Sequence, residues 1–160
     1  MSNENPLALQ ISPDAPLAPL ATEYALALLR SDRQAATQMI MDSVETAEDV
    51  KRLYLYVFQP TQREIGRLWQ SGQITVAHEH YCTAVTQVVM SMLYPYIFAH
   101  EVSGPCMVTT CVGGELHQLG ARMVTDFFEM DGWTTHFLGA NTPTKSILQT
   151  IEELNVDLLG

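Results

Sequence analysis

Three groups of residues in this chain have types and spacings that could do chemistry. The first is the run Gly113-Gly114-Glu115-Leu116-His117-Gln118-Leu119-Gly120, which sets a carboxylate and an imidazole between glycines. Its order, E-x-H-x-x-G, is neither the G-x-G-x-x-G of a dinucleotide turn nor a P-loop ending in Gly-Lys-Ser/Thr, so phosphate cradling of either kind is excluded. The second is Trp69, nine intervening residues, and then Glu79-His80, with His78 and Cys82 beside them. Cys82 occupies the place where H-E-x-x-H would need its second histidine, and adjacent or alternate helical residues cannot converge on one ion, so zinc is rejected there. The third is the cysteines. Cys82, Cys106 and Cys111 are odd in number and form no C-x-x-C, which reads as buried free thiols rather than a disulfide framework. His100 and His136 belong to no motif.

The elements that must position these groups follow from periodicity. Residues 1–20 hold Pro6, Pro13, Pro16 and Pro19 and read as a Pro-rich arm. From 21 to 102 the apolar residues recur at three and four spacing, as in Tyr24, Leu28 and Leu29, then Ile40 and Val44, then Val50, Leu53, Tyr54, Val57 and Phe58. Pro60 should kink or restart the third helix, Ser71-Gly72 should stop it, and Thr75 should cap a long helix from about 76 to 100. On that helix Val85, Val88, Val89, Met92, Leu93 and Ile97 are expected to form the buried stripe. The result is a helical bundle.

After Ser103-Gly104-Pro105 the rhythm changes. CMVTTCV is a β-branched run ending at Gly113-Gly114, a helical stretch runs from about 117 to 130, WTTHFLG is a second strand, and Thr142-Pro143 starts a helix through Leu154 before VDLLG. The order β-α-β-α-β over 105–160 predicts a doubly wound, parallel-sheet, Rossmann-like domain behind the bundle, an α plus α/β architecture. Three strands are fewer than such a sheet usually has, so the domain is expected to be incomplete at its C-terminus. Ligands of doubly wound sheets sit at the carboxyl ends of the strands, which points to the Gly113–Gly120 loop.

Composition bounds the partners. Of 160 residues, 47% are hydrophobic, and 18 acidic against 8 basic residues give a net charge of −10. That charge opposes phosphate backbones, and no direct nucleic-acid contact is expected. The first ten residues lack the basic and apolar regions of a signal peptide and no apolar run approaches a membrane span, so a cytoplasmic protein without membrane contact is expected.

Glu115-Leu116-His117-Gln118-Leu119-Gly120 resembles the D/E-x-H-x-x-G motif of cobalamin-binding Rossmann-like domains. The resemblance implies that His117 is the lower axial ligand of cobalt, in place of the cofactor's own dimethylbenzimidazole. Glu115 would hold the ring's other N–H and raise its basicity. Gly120 would let the displaced nucleotide tail approach the backbone, and Gly113 and Gly114 would loosen the turn. The bland alternative, a histidine that starts a helix beside a glycine turn, is weakened by the strand–turn–helix context.

The spacing Trp69-x9-Glu79-His80 resembles the W-x9-E-H signature of the helical cap in cobalamin-dependent photoreceptors of the CarH/LitR type. It implies that Trp69 shields the upper axial group while Glu79 and His80 contact the same side. One position departs. Those proteins carry a histidine after the tryptophan, where this chain has Gln70. The family's DNA-binding domain ahead of the cap is also replaced by the 20-residue arm, which resembles stand-alone antirepressor or photocobilin-type members.

The implied cofactor is adenosylcobalamin first, with hydroxo- and methylcobalamin as alternatives. A bilin is a further implication, for which Tyr81, Tyr94, Tyr96 and Phe98 could line a pocket, although helical core explains them as well. The leading expectation is a non-enzymatic light sensor acting through a protein signalling partner, as a homo-oligomer such as a dimer. The competing expectation is the corrinoid protein of a methyltransferase, carrying a methyl group on cobalt above His117.

Overall fold

In the computed structural model, residues 7–98 and 104–160 are described. The chain divides into two compact units, Met1–Leu93 and Tyr94–Gly160. His100 lies outside the described residues.

The first unit is helical. It runs through α1 (Ala18–Leu29), α2 (Arg33–Met41), α3 (Ala47–Leu53), a π-helical turn (Tyr54–Phe58), α4 (Gln59–Gln70) and α5 (Val76–Met92). Local chemistry sets the starts. Pro19 lies in the first turn of α1, where its missing N–H has no helical partner to lose, so the helix begins inside the predicted arm. The Asp32 carboxylate accepts the Ala35 N–H at 3.0 Å, Thr46 and Asp49 form a capping box, and Thr75 and His78 form another.

Pro60 lies in the first turn of α4, so the α-helix restarts there, as expected. The chain passes from α3 to α4 through one π turn that ends two residues before it. The wider turn accommodates a residue that cannot donate to the carbonyl four positions back and whose ring would crowd it.

The bundle core is built on Tyr24, Leu28, Ile40, Leu53, Tyr54, Phe58, Ile65, Leu68 and Met90, all fully buried. Phe58 packs between Tyr24 and Tyr54, with ring centroids 5.4 and 5.6 Å away. The arm is tied down where it meets α4. Glu64 accepts the Gln10 N–H at 3.0 Å, and Arg67, which pairs with Glu64 at 2.6 Å, donates to the Ala8 carbonyl at 3.3 Å. Burial pushes the Glu64 carboxyl up, but the Arg67 hydrogen bonds, the Gln10 N–H and the Arg67 charge bring it below the usual carboxylate range.

Two expectations about the long helix fail. It ends at Met92, because Pro95 removes a backbone donor and restricts the residue before it; a short α6 (Tyr94–Ile97) follows. Its buried face is Cys82, Val85, Thr86, Val89 and Met90, and Leu93 and Ile97 past its end are buried as expected, whereas Val88 at 61% exposure and Met92 lie on the outer side. Reading only apolar residues widened the stripe and missed that Thr86 belongs to it.

The second unit holds β1 (Cys106–Thr110), α7 (Leu119–Met130), β2 (Thr134–Gly139), α8 (Thr144–Leu154) and β3 (Leu158–Leu159). The sheet is parallel in the order β2-β1-β3. Met107, Val108 and Thr109 of the central strand are buried. The doubly wound, Rossmann-like sheet unit, which follows the helical bundle along the chain, is therefore present. A register shift between Thr109 and Thr110 pairs Thr110 with Gly139, where φ is +74°. Both the Thr110 hydroxyl and the Cys111 N–H donate to the Gly139 carbonyl, which ties together the carboxyl ends of β1 and β2. No residue of α8 is buried, and Leu158 and Leu159 of β3 are exposed.

Cys82 and Cys111 are buried, Cys106 is half-buried, and all are free thiols. No helix among the described residues is long and apolar enough to cross a membrane.

Candidate functional site

The loop after β1 begins where the strand's hydrogen bonding stops. Gly114 has φ +88°, a value that glycine adopts without strain, and the Glu115 N–H returns to the Val112 carbonyl at 3.0 Å. That turn projects Glu115 and His117 out of the sheet's end. His117 does not start the helix as the sequence suggested. The helix begins at Leu119 with Gln118 as its N-cap, so the imidazole stands on the loop.

One carboxylate oxygen organises His117. Glu115 Oε1 accepts the His117 backbone N–H at 2.6 Å and lies 2.6 Å from Nδ1. Those two bonds, the backbone one first, hold the Glu115 carboxyl below the usual carboxylate range. A carboxylate at Nδ1 places the proton there, which leaves the Nε2 lone pair free, and the His117 side chain is 82% exposed. This is the form of imidazole that ligates a transition metal.

A Cβ added at Gly113, Gly114 or Gly120 would meet nothing within 4 Å, so the loop and the first turn of α7 have open space in front of them. Sequence reasoning missed Gln118. Its Oε1 accepts the Ala140 N–H at 3.2 Å and lies 2.8 Å from where a Gly139 Cβ would be, tying the histidine loop to the end of β2. Its only signal was adjacency to the histidine.

The cap residues sit at the turn between α4 and α5. Only residues 71–75 separate α4 from α5, and Gln62, well before the end of α4, meets Thr83 and Thr86, about as far past the start of α5, so the two helices run antiparallel. The same register sets Trp69, on the last turn of α4, across from the first turns of α5, which carry Glu79 and His80. Trp69 is 40% exposed, an amount of open indole that its bundle does not cover. The Glu79 side chain is 16% exposed, with Oε2 at 2.5 Å from His80 Nδ1 and Oε1 accepting from the Thr83 hydroxyl at 3.0 Å. His78 is spent on capping. Its Nδ1 accepts the Thr75 N–H at 3.4 Å and lies 2.7 Å from the Thr75 hydroxyl.

Gly66, on the same face of α4 one turn before Trp69, would meet nothing within 4 Å if it carried a Cβ. A mid-helix glycine without a crowding neighbour costs helix stability and leaves clear space in return, a signal the motif reading passed over. Of the aromatic group, Tyr81 donates its hydroxyl to the Ser31 carbonyl. Tyr94 packs on Phe98 at 4.9 Å and carries Arg122 over its ring at 5.1 Å.

Two family models match the chain, each described as a B12 binding domain, over residues 20–94 and 105–160. The chain carries B12-binding domains. The dimethylamine corrinoid protein 1 of Methanosarcina acetivorans is 27% identical over 100 residues, which cover 61% of this chain and 46% of that protein. The HTH-type transcriptional repressor CarH of Myxococcus xanthus is 25% identical over 139 residues, 86% of this chain and 46% of that one. The chain thus spans about half the length of these two curated relatives. The monomethylamine corrinoid protein of Methanosarcina barkeri has the same fold, with a TM-score of 0.72 over 87% of this chain and 66% of that one at 12% identity. The B12-binding models cover both the bundle with Trp69, Glu79 and His80 and the sheet with Glu115 and His117. Cobalamin is the cofactor that such domains imply, and the donor set fits it: an exposed imidazole whose Nδ1 is already engaged.

Proposed function

We propose that the chain is a cobalamin-binding light sensor that holds the cofactor through His117 on cobalt's lower side and presents Trp69, Glu79 and His80 to its upper side. The observation that carries the lower half is the Glu115–His117 pair, which fixes the ring tautomer and directs Nε2 outward. Support for the upper half is the half-exposed Trp69 on the last turn of α4 and, on the first turn of α5, a carboxylate held at both oxygens, by His80 and by Thr83. Bound cobalamin with an alkyl upper ligand supplies a cobalt–carbon bond that light can cleave. The chain's own residues orient and enclose it. Glu115 keeps the His117 proton on Nδ1, Trp69 covers the upper group with an apolar face, and Glu79 and His80 offer a hydrogen-bonding pair beside it. A change in the upper group then alters the surroundings of Trp69 and Glu79, from which contacts with a protein partner or a second copy would follow. The net charge of −10 favours a protein partner over nucleic acid.

A methyl-carrying role is the second reading, favoured by the likeness to the dimethylamine corrinoid protein. The two separate on one experiment. Reconstituted in the dark with adenosylcobalamin, the light sensor retains the alkyl cofactor through gel filtration and changes its absorption spectrum and apparent mass on illumination. A chain that holds adenosylcobalamin without any change of apparent mass on illumination, and that, loaded with cobalamin reduced to Co(I), accepts a methyl group from a methylamine through a partner methyltransferase with release of the demethylated amine, contradicts light sensing.

A further inference from the structure

Glu79 is connected to the interior of the helical unit by a line of hydroxyl and amide groups. The Thr83 hydroxyl, one turn along α5, lies 3.0 Å from Glu79 Oε1 and 2.9 Å from Gln62 Oε1. The Gln62 amide nitrogen donates to Thr86 Oγ1 at 2.8 Å. Thr86 donates to the Cys82 carbonyl at 3.0 Å, and its Oγ1 lies 3.0 Å from the Tyr24 hydroxyl. Thr86 and Tyr24 are fully buried.

Proton accounting fixes the directions. A threonine hydroxyl has one proton and two lone pairs. The Thr86 proton goes to the Cys82 carbonyl, so its lone pairs receive the Gln62 N–H and the Tyr24 O–H. The Gln62 amide is thereby oriented with its oxygen toward Thr83. The single Thr83 proton then faces two acceptors and serves one at a time. An ionised carboxylate is the stronger of the two, so with Glu79 free the proton points to it and Gln62 Oε1 competes from behind.

We propose that Gln62 and Thr83 are positioning residues for Glu79, with the Thr83 hydroxyl turning from the carboxylate to the Gln62 amide oxygen when Glu79 is engaged from above. The role assigned to Glu79 rests on the cobalamin reading; the hydrogen-bonded line itself does not. His80 on Oε2 and Thr83 on Oε1 are the groups bonded to the carboxylate. Nearby Cys82 has its thiol pushed up to about 11, by burial first and then by Glu79, and so brings no charge of its own at neutral pH. Gln62 and Trp69 are seven residues apart on one face of α4, so the residue that sets Glu79 also shares a helix face with Trp69.

The test uses the cofactor-free chain and reads the Glu79 carboxyl carbon by NMR across pH. Removing the donor with Thr83→Val raises the Glu79 midpoint, because the ionised form loses its hydrogen bond. Removing the competitor with Gln62→Leu lowers it, because the hydroxyl then donates to Glu79 undivided. Thr83→Ser keeps the wild-type midpoint. A merely structural role gives both substitutions the same sign. Midpoints that move together, or that do not move, overturn the proposal, and Gln62→Met carries the same expectation as Gln62→Leu should the leucine variant fail to fold. The cobalamin reading is tested apart from it, by adenosylcobalamin binding to Glu79→Gln. Opposed midpoints with unchanged adenosylcobalamin binding would leave the positioning line standing and remove the role assigned to Glu79.

Discussion

The two units hold their candidate histidines in opposite ways. In the helical unit His80 and Glu79 stand on a packed scaffold, where Glu79 is mostly buried and backed by Thr83, Gln62, Thr86 and the buried Tyr24. In the sheet unit His117 stands on a glycine turn, and a carboxylate two residues away in the same loop fixes its ring. The first arrangement suits a group that must keep its place while its neighbours change. The second suits a ligand that must reach outward to a metal and adjust to it. What differs is whether the supporting hydrogen bonds come from across the fold or from the loop itself.

The largest effect that separates the units is on stability. Phe58→Ala in the bundle core should cost about 3–5 kcal/mol in denaturant unfolding, whereas Leu148→Ala on α8, whose residues are none of them buried, should cost under about 0.5 kcal/mol. Comparable costs would mean that the two units are equally packed and the contrast is lost. Next in size is the loop. Glu115→Ala leaves the His117 tautomer unfixed and should weaken cobalamin retention by about 10–100-fold while leaving thermal unfolding unchanged, since both side chains face solvent.

Smaller effects sharpen the helical side. Gly66→Ala should stabilise the cofactor-free chain by about 1 kcal/mol, because alanine favours the helix and its methyl meets open space. If that space receives cofactor, the same substitution weakens adenosylcobalamin binding, so stability and affinity move in opposite directions. The alkaline limb of stability should also belong to this unit. The folded Cys82 thiol is raised from 9.0 to about 11, and Tyr24 is raised further by burial. Raised groups stabilise the fold fully below their unfolded values and lose that contribution as pH climbs toward the folded ones. Unfolding free energy should therefore fall between about pH 9 and 11, and Cys82→Ala should flatten part of that decline.

Much of this contrast can be read from sequence, and the rest has physical reasons for hiding. Periodicity locates the helices because each buries one face, and the β-α-β-α-β order dictates a parallel sheet. Thr75 reads as a cap and caps. What periodicity does not carry is the effect of single backbone donors. Pro95 ends the long helix and Pro60 leads to a π turn, and neither outcome follows from hydrophobic spacing. Thr86 escaped the core stripe because a threonine reads as polar, although its bonds to Tyr24 and Gln62 are what let it be buried. The motif residues were legible by type and interval, whereas Gln62, Gly66, Thr83 and Gln118 were not. Their parts depend on which atoms face them across helices or strand ends, and interval along the chain says nothing of that.

The central claim is that His117 binds cobalt from below, and the most direct measurement is the EPR spectrum of Co(II) cobalamin reconstituted into protein grown with nitrogen-15 histidine. An axial imidazole nitrogen splits the cobalt lines, and the account predicts that labelling converts that splitting from a triplet to a doublet, with the doublet lost in His117→Ala. A triplet that survives labelling would mean that the cofactor's own benzimidazole remains on cobalt, and it would contradict the account.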